Sequence, residues 1–453
     1  MLFRFGHAMH PDWTAAVELC LAQIEGQVQL SGYGQGGNLG FMYFTDYLSS
    51  HVEPMLALLK QRTGIEHWVG GVGMGIAANG AEYFDEPALA ILIGDFPADS
   101  FRTFSELTPL NETLQPIAAV TPQISEGPAA DFIRNLFNQP ADTTVRIDDF
   151  SPYTALVHAS PSQPRLPIIL QSLADQVQSR YLFGGLVSAR GPSLHIADEV
   201  LSQGFSGVAF DEQVKLVSRV TQGCQPIARS HTITACDGNR VIELDGRPAL
   251  DRLITDMGLP SRDGNSPISE STTDALSRVS RGLFCAIGLP DAQALLPAHH
   301  NSPGEFGSDF LVRHILGIDA KDRTVVIADN VAVGCQLAFC VRDTNATRAD
   351  LIRICAELRE EIEPEAFLSE AVTGAPEALS GLHPGRGIKG AIYISCIARG
   401  GGSLGEGNPS GPSAELKLIA QQLGEVPLIG LFANSEIAFD RLYSYSGVLT
   451  LFV

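Results

Sequence analysis

The chain has 453 residues, enough for two large or three ordinary domains, and 45% of them are hydrophobic against 18% charged. That mix fills real cores and excludes a largely disordered chain. With 30 Lys and Arg against 51 Asp and Glu, the net charge is −21. Such a field repels phosphate backbones and anionic bilayers, which excludes nucleic acid and membrane surfaces and leaves small zwitterions, cations or basic proteins as partners.

The first half alternates helices and strands. Residues 13–24 place Val17, Leu21 and Ile24 on one helical stripe. Residues 39–44 read as a strand and 54–63 as a helix stopped by Gly64. Residues 67–75 read as a strand running into a glycine turn, and 87–93 as a continuous apolar strand. Prolines punctuate 97–150, with a helix expected at 129–137. Strands are expected at 153–158 and 181–187, with a loop over 161–167. Strands at 204–210 and 214–220, separated by Asp211-Glu-Gln, have hairpin spacing.

A second unit begins near Gly223. Asp237-Gly-Asn between two apolar runs is a hairpin signal, and Pro248 and Gly258 bracket a helix. Thr347 and Asp350 have capping-box spacing ahead of the stripe Leu351, Ile354, Leu358 and Ile362, with Pro364 as its stop. Strands at 389–397 and 426–432 flank a helix at 414–423 capped by Ser413, and 445–453 is a last strand. Interleaved helices with frequent hairpins predict an α/β chain with mixed or antiparallel sheets and flanking helices, in two domains, 1–222 and 223–453.

No apolar run approaches the ~18 residues of a membrane helix, and the N-terminus lacks the apolar stretch of a signal peptide. Eight scattered cysteines without C-x-x-C or zinc spacing fit free, buried thiols in a reducing cytoplasm. His7, His10, His299 and His300 lack metal-site spacing, so no metal or other cofactor is expected.

Six stretches carry a family resemblance. The segment 223–250 is followed by Ile394-Ser-Cys-Ile-Ala-Arg-Gly400, Gly430-Leu-Phe-Ala-Asn-Ser-Glu-Ile437 and Ser444-Tyr-Ser-Gly-Val-Leu-Thr450. Earlier stand Val69-Gly-Gly-Val-Gly-Met-Gly75 and Leu182-Phe-Gly-Gly-Leu-Val187. Together they resemble the FIST family, its N-terminal domain followed by its C-terminal domain, over nearly the whole chain. Ala228 departs from the glycine that the family often has after Pro-Ile. The resemblance implies a stand-alone, bacterial-type sensory protein of intracellular signal transduction. It would bind a small ligand, an amino acid or related metabolite, and act through a signalling partner. It supplies no catalytic residues, and its layered α/β/β/α sandwich is compatible with the hairpins.

Gly32-x-Gly-x-x-Gly37 has dinucleotide spacing, but a helix precedes it and a strand follows, the reverse of the fingerprint. Gly400-x-Gly402-x-x-Gly405 follows a strand, but Pro409 and Pro412 postpone the helix to Ser413. It reads as a glycine loop closing over a small ligand, or as an ordinary surface loop. Arg399 offers a fork of donors to an anion, or is an ion-paired surface residue. Asn434, Ser435 and Glu436 end an apolar strand, and Glu436 can hold an ammonium group or be a solvated turn residue. Arg399 and Glu436 together suit a zwitterion. The turns at Gly73, at Gly184, Gly185 and Ser188, at Gly400 and Gly402, and at 434–436 are expected to converge on it. The alternative is a hydrolase with Cys396 or Ser395 as nucleophile, residues that alternate along a strand so that one of them faces the core. A third reading is a protein-interaction scaffold.

Overall fold

The computed structural model describes residues 2–30, 36–108, 110, 150–259, 283–288, 310–373, 387–400 and 413–453. Their strands form three six-stranded sheets and one eight-stranded sheet, with helices packed alongside, so the α/β class with mixed sheets holds. The expected helix at 129–137 lies outside the described residues.

The three six-stranded sheets repeat one topology. Each is built on a parallel pair joined by a helix. Leu39–Thr45 and His67–Gly73 enclose helix Val52–Thr63. Thr154–Ala159 and Tyr181–Leu186 enclose Leu166–Gln176. Gly390–Cys396 and Leu428–Ala433 enclose Ala414–Leu423. An antiparallel strand flanks the first member of each pair: Ala88–Gly94, Phe205–Phe210 and Ser446–Phe452. Beyond it lies an edge strand: Phe3–Met9, Phe101–Ser105 and Leu216–Gln222.

The other side of each sheet is finished by a hairpin from a different repeat. Gly75–Ala78 and Ala81–Phe84, from the first repeat, extend the third-repeat sheet through Leu428–Ala433. His195–Ala197 and Glu199–Leu201, from the second, extend the first through His67–Gly73. Glu436–Phe439 and Arg441–Tyr443, from the third, extend the second through Tyr181–Leu186. The exchange is cyclic, so every repeat is completed by another.

One glycine marks the repeat. Gly70, Gly184 and Gly430 face Met42, Val157 and Tyr393 across the parallel pairs. A Cβ on them would lie 1.9, 1.9 and 2.1 Å from the opposing carbonyl oxygens. Only glycine permits that approach, and at Gly70 and Gly184 φ is also positive, at +150° and +140°.

Phe41, Tyr43, Leu156, Ile392 and Ile394 from all three sheets meet Phe96, Phe210 and Phe452 in one apolar core. Helix Leu166–Gln176 covers the other face of the second sheet with Leu170 and Leu173. Helices Thr344–Thr373 and Ala414–Leu423 cover that of the third with Leu351, Leu358, Leu416 and Ile419. Along the first sheet, helix Trp13–Gln27 runs beside edge strand Phe3–Met9 and closes it. Gln27 Oε1 accepts from Phe5 N at 2.9 Å and its Nε2 donates to Phe5 O at 2.9 Å. Gln23 does the same for His7, at 3.2 and 2.8 Å. Two side-chain amides thus replace a neighbouring strand and satisfy an edge that would otherwise invite pairing.

The fourth sheet is inserted into the third repeat, after Leu216–Gln222 and before Gly390–Cys396. Its strands His231–Asp237, Arg240–Leu244, Thr324–Ile327, Phe310–Asp319, Leu283–Gly288 and Gln336–Arg342 pair in succession. Gln336–Arg342 also pairs with His231–Asp237, closing a barrel. The Asp237-Gly-Asn hairpin forms as its turn chemistry predicts, with φ +57° at Gly238.

Four local expectations differ. Phe205–Phe210 and Leu216–Gln222 do not pair with each other but enter different sheets. A helix begins at Leu166, inside the expected loop. Helix Thr344–Thr373 starts ahead of Thr347 and runs on through Pro364. Its first turn is capped by Asp343, whose carboxylate accepts from Ala346 N at 2.7 Å, while Asp350 accepts from Gln222 N at 2.6 Å. Ser413 precedes its helix without capping it; its hydroxyl accepts from Glu82 N of the borrowed hairpin at 3.0 Å.

Candidate functional site

Strand Gly390–Cys396 is buried along its whole length because both faces of its sheet are covered. Tyr393 and Ser395 therefore point toward helix Ala414–Leu423, and Cys396 points the opposite way. The two side chains alternate as expected, and both are buried because each face of the sheet is covered. A short turn, Ile397–Arg399, then tucks the Arg399 guanidinium inward, 3% exposed.

Arg399 meets a carboxylate that the sequence did not flag. Its Nε and Nη2 lie 2.9 Å from Oε1 of Glu415, in the first turn of helix Ala414–Leu423. Its Nη1 donates to Thr221 O at 3.2 Å. The other Glu415 oxygen accepts from Tyr393 OH at 2.7 Å and Ser395 Oγ at 3.3 Å. Burial works against the Arg399 charge, but the Glu415 carboxylate overcomes it and holds the guanidinium pKa above its ordinary value. A glutamate in a first turn also suits the positive end of the helix.

Glu436, the first residue of Glu436–Phe439, is fully buried. Its Oε2 accepts from Ser446 N at 3.1 Å and from Ser446 Oγ. Its Oε1 has no partner among the described residues. Burial pushes this carboxyl up to about 8, outweighing the Ser446 donors and the Arg399 charge that pull it down. It is therefore mostly protonated at neutral pH.

Further buried polar atoms in this neighbourhood lack a hydrogen-bond partner among the described residues, among them Arg399 Nη2, Thr221 Oγ1, Tyr445 OH and Arg342 Nε. Arg399 Nη2 is in ion-pair contact with Glu415 without hydrogen-bond alignment. The Arg399 charge is felt at both Glu436 and Tyr445. Tyr445 lies at the seam with the barrel, its ring 5.3 Å from that of Phe284 and 4.9 Å from the Arg342 guanidinium carbon. Buried polar groups are nearly always paired, so the open ones around this ion pair call for an explanation.

The internal repeat sharpens the point. In the antiparallel pairings of the borrowed hairpins, Glu436 faces Gly185, His195 faces Gly71 and Ile76 faces Leu431, which makes the three positions equivalent. Ile76 packs in the core. His195 is fully buried, but both its ring nitrogens are engaged, by Ser206 Oγ at 2.7 Å and Gln203 O at 3.0 Å. Glu436 alone of the three keeps an open polar atom.

Of the expected turns, 184–188 and 434–436 touch each other, and Ser188 also reaches Met74 beside Gly73. Ser188 Oγ donates to Phe432 O at 2.6 Å and accepts from Met74 N at 2.9 Å. Asn434 Nδ2 donates to Val187 O at 3.0 Å, and Leu186 N donates to Ser435 O at 2.9 Å. A Cβ at Gly73 would lie 2.3 Å from Gly75 O, and one at Gly185 2.8 Å from Ala433 and Ile394 side-chain atoms. Gly184 is the repeat glycine described above. Gly400 is packed against Phe84 and Phe432. Gly402 lies outside the described residues. The polar groups of Ser188, Asn434 and Ser435 thus stitch the three repeats together.

Cys396 sits beside Glu436, and burial pushes its thiol up to about 12, which opposes the thiolate a nucleophile needs. Among the described residues, no group of three His, Cys, Asp or Glu side chains is arranged to hold a metal ion. None of their helices is long and apolar enough to cross a membrane. A cleft of about 810 Å³, lined by Phe5, His7, Gln27, Leu416, Leu423 and Val426 among others, does not include Arg399, Glu415 or Glu436 in its lining.

Glu415, Thr221, Tyr445 and Ser446 were missed by the sequence reading. Tyr445 and Ser446 fall inside the quoted motif Ser444–Thr450. Glu415 shares a helical stripe with Ile419, a position where an unbroken apolar pattern would have another apolar residue.

Comparison with known proteins fits this chain to two family models. The FIST N domain matches residues 38–247 and the FIST C domain matches residues 274–439. An uncharacterised protein of Mycobacterium tuberculosis is 27% identical over 394 residues, which span 85% of this chain and 83% of that protein. An uncharacterised protein of Mycobacterium bovis is 31% identical over 278 residues, 60% of each. Carrying both domains in order, the chain belongs to the FIST family.

Proposed function

We propose that the chain is a sensor that binds a small charged metabolite, an amino acid or close relative, at the Arg399–Glu436 cluster. FIST domains are associated with signal-transduction sensors, which supports the class. The observation that carries the ligand is the set of buried atoms without a hydrogen-bond partner among the described residues beside the Arg399–Glu415 pair: Thr221 Oγ1, Tyr445 OH and Glu436 Oε1. Two of them can donate to a carboxylate, and the third, once ionised, accepts from an ammonium group. Leaving such groups unpaired destabilises the free protein, and a ligand that pairs them recovers that energy.

A readout follows from the topology. Glu436 lies on the hairpin that the third repeat lends to the second. A ligand that prefers one setting of that hairpin shifts the packing between repeats, which a partner protein can detect.

The test is a thermal-shift screen with the free amino acids, on wild type and on Tyr445→Phe. A ligand at about 100 times its Kd adds about 2.7 kcal/mol of stability. Tyr445→Phe removes an open hydroxyl, so the free variant should match or exceed wild type in stability while losing most of the ligand shift. A panel without any shift, or one whose shifts survive Tyr445→Phe unchanged, contradicts the reading.

A further inference from the structure

We propose that an amine-bearing ligand binds here in exchange for a proton, with the Glu436 carboxyl handing its hydrogen to solvent as the ammonium group docks on Oε1. This deepens the reading just given and rests on it. The geometry is one-sided. Oε2 is fully occupied by the two Ser446 donors, whereas Oε1 is buried and open. The cation that acts on Glu436, Arg399, is already ion-paired with Glu415. A buried carboxylate with no cation of its own takes up a proton, and a docking ammonium replaces it.

The balance is simple. The neutral carboxyl and R–NH3+ become a carboxylate–ammonium pair, and one H+ leaves to the buffer. No bond to carbon changes.

The surroundings leave Glu436 as the group that titrates. Facing it on the antiparallel partner strand Tyr181–Leu186 is Gly185, which carries no charge. Its hairpin neighbour is Tyr443, whose hydroxyl is raised above its usual value by burial. From the neighbouring sheet come Ser446 and Cys396, the latter with its thiol pushed up to about 12 by burial. Tyr445, near Arg399, is pushed up to about 12, also by burial. Arg399 keeps its charge throughout. Between pH 6 and 8 only the Glu436 carboxyl, at about 8, passes into its titration range.

Two ligand classes are thereby separated by sign. A zwitterionic amino acid needs Glu436 ionised, so its affinity rises about tenfold per pH unit up to pH 8. A carboxylate lacking the amine, such as the matching N-acetyl amino acid, prefers the neutral carboxyl and gains no affinity with pH.

The experiment is isothermal titration of the free amino acids that pass the thermal screen, at pH 7, in phosphate and in Tris, whose ionisation heats differ widely. The expected difference in heat corresponds to close to one proton released per ligand, falling toward zero at pH 9. Glu436→Gln, which keeps shape and burial, should bind more weakly, without proton release and with flat pH dependence. Binding with no proton release at pH 7 overturns the exchange and leaves the ligand site standing. Absence of binding by every amino acid overturns both.

Discussion

At the residue scale, the cluster makes a stability claim with a definite sign. An ordinary glutamate has a pKa near 4.5, and Glu436 in the folded chain has one of about 8. Between these values the folded state holds a proton that the unfolded state has lost. Glu436 therefore destabilises the fold as pH rises from 4.5 to 8, by about 1.4 kcal/mol per pH unit, and the loss levels off above 8. Glu436→Gln has no such proton. Comparing urea midpoints of the two proteins at pH 5, 6.5 and 8 cancels the other titrating groups, and the gap should widen in favour of the variant. A gap independent of pH would show that Glu436 is not held neutral. Two buried histidines work in the opposite sense: burial lowers His158 to about 3 and His195 to about 4. The stability they confer is complete above 6.5 and is lost as pH falls toward those values. Arg399 and Glu436 could be picked out from the sequence as strand-end charges, but their pairing could not. Glu415 comes between them in charge, and a glutamate in the first turn of an amphipathic helix normally faces water. Only the packing of helix Ala414–Leu423 over Tyr393 and Ser395 turns it inward.

At the element scale, long apolar strands were legible because each is buried on both faces, and continuous runs such as 88–94 announce this. Their neighbours were not legible. A three-residue gap between 210 and 214 looks like a hairpin, yet the chain crosses from one sheet to another there. The closure of edge strand Phe3–Met9 by Gln23 and Gln27 was equally hidden, because glutamines four apart on a helix usually mark a solvated face. That closure can be tested directly. Gln27→Ala should strip exchange protection from the Phe5 amide and spare that of His7, and Gln23→Ala should do the reverse. Each substitution should lower stability by about 1 kcal/mol, the worth of a lost amide pair at a half-exposed edge. Unchanged protection at both amides would mean that the helix shields the edge sterically and the amides are incidental. Gly184→Ala is the contrasting case: its Cβ would collide with the Val157 carbonyl, so a loss of several kcal/mol is expected, on the scale of other core strain.

At the scale of the whole molecule, the organising fact is the cyclic loan of hairpins among three repeats. Sequence reading could not reach it, because the repeats share little beyond an apolar residue followed by glycine, as in Val69-Gly70, Phe183-Gly184 and Ile429-Gly430. A domain border at 222/223 remains a proposal, and the loans bear on it. Hairpin 436–443 completes a sheet of the first half, and hairpin 75–84 completes one of the second. Fragments 1–222 and 223–453 expressed apart should each unfold without a cooperative transition, and mixing them should restore one. Two independent cooperative transitions in the separate fragments would show that the loans are dispensable. The same loans connect the candidate site to the whole: Glu436 sits where one repeat is handed to the next, so what occupies the cluster bears on how the repeats pack.

The most direct measurement is a high-resolution diffraction map of the seam between Arg399, Glu436, Thr221 and Tyr445, with and without an amino acid that passes the thermal screen. The expected maps show no protein donor on Glu436 Oε1 in the free protein, and in the bound one the ligand's ammonium group on that oxygen and its carboxylate against Thr221 Oγ1 and Tyr445 OH. Side chains closing directly on one another, with Glu436 Oε1 bonded to a protein donor and the ligand bound elsewhere, would contradict it.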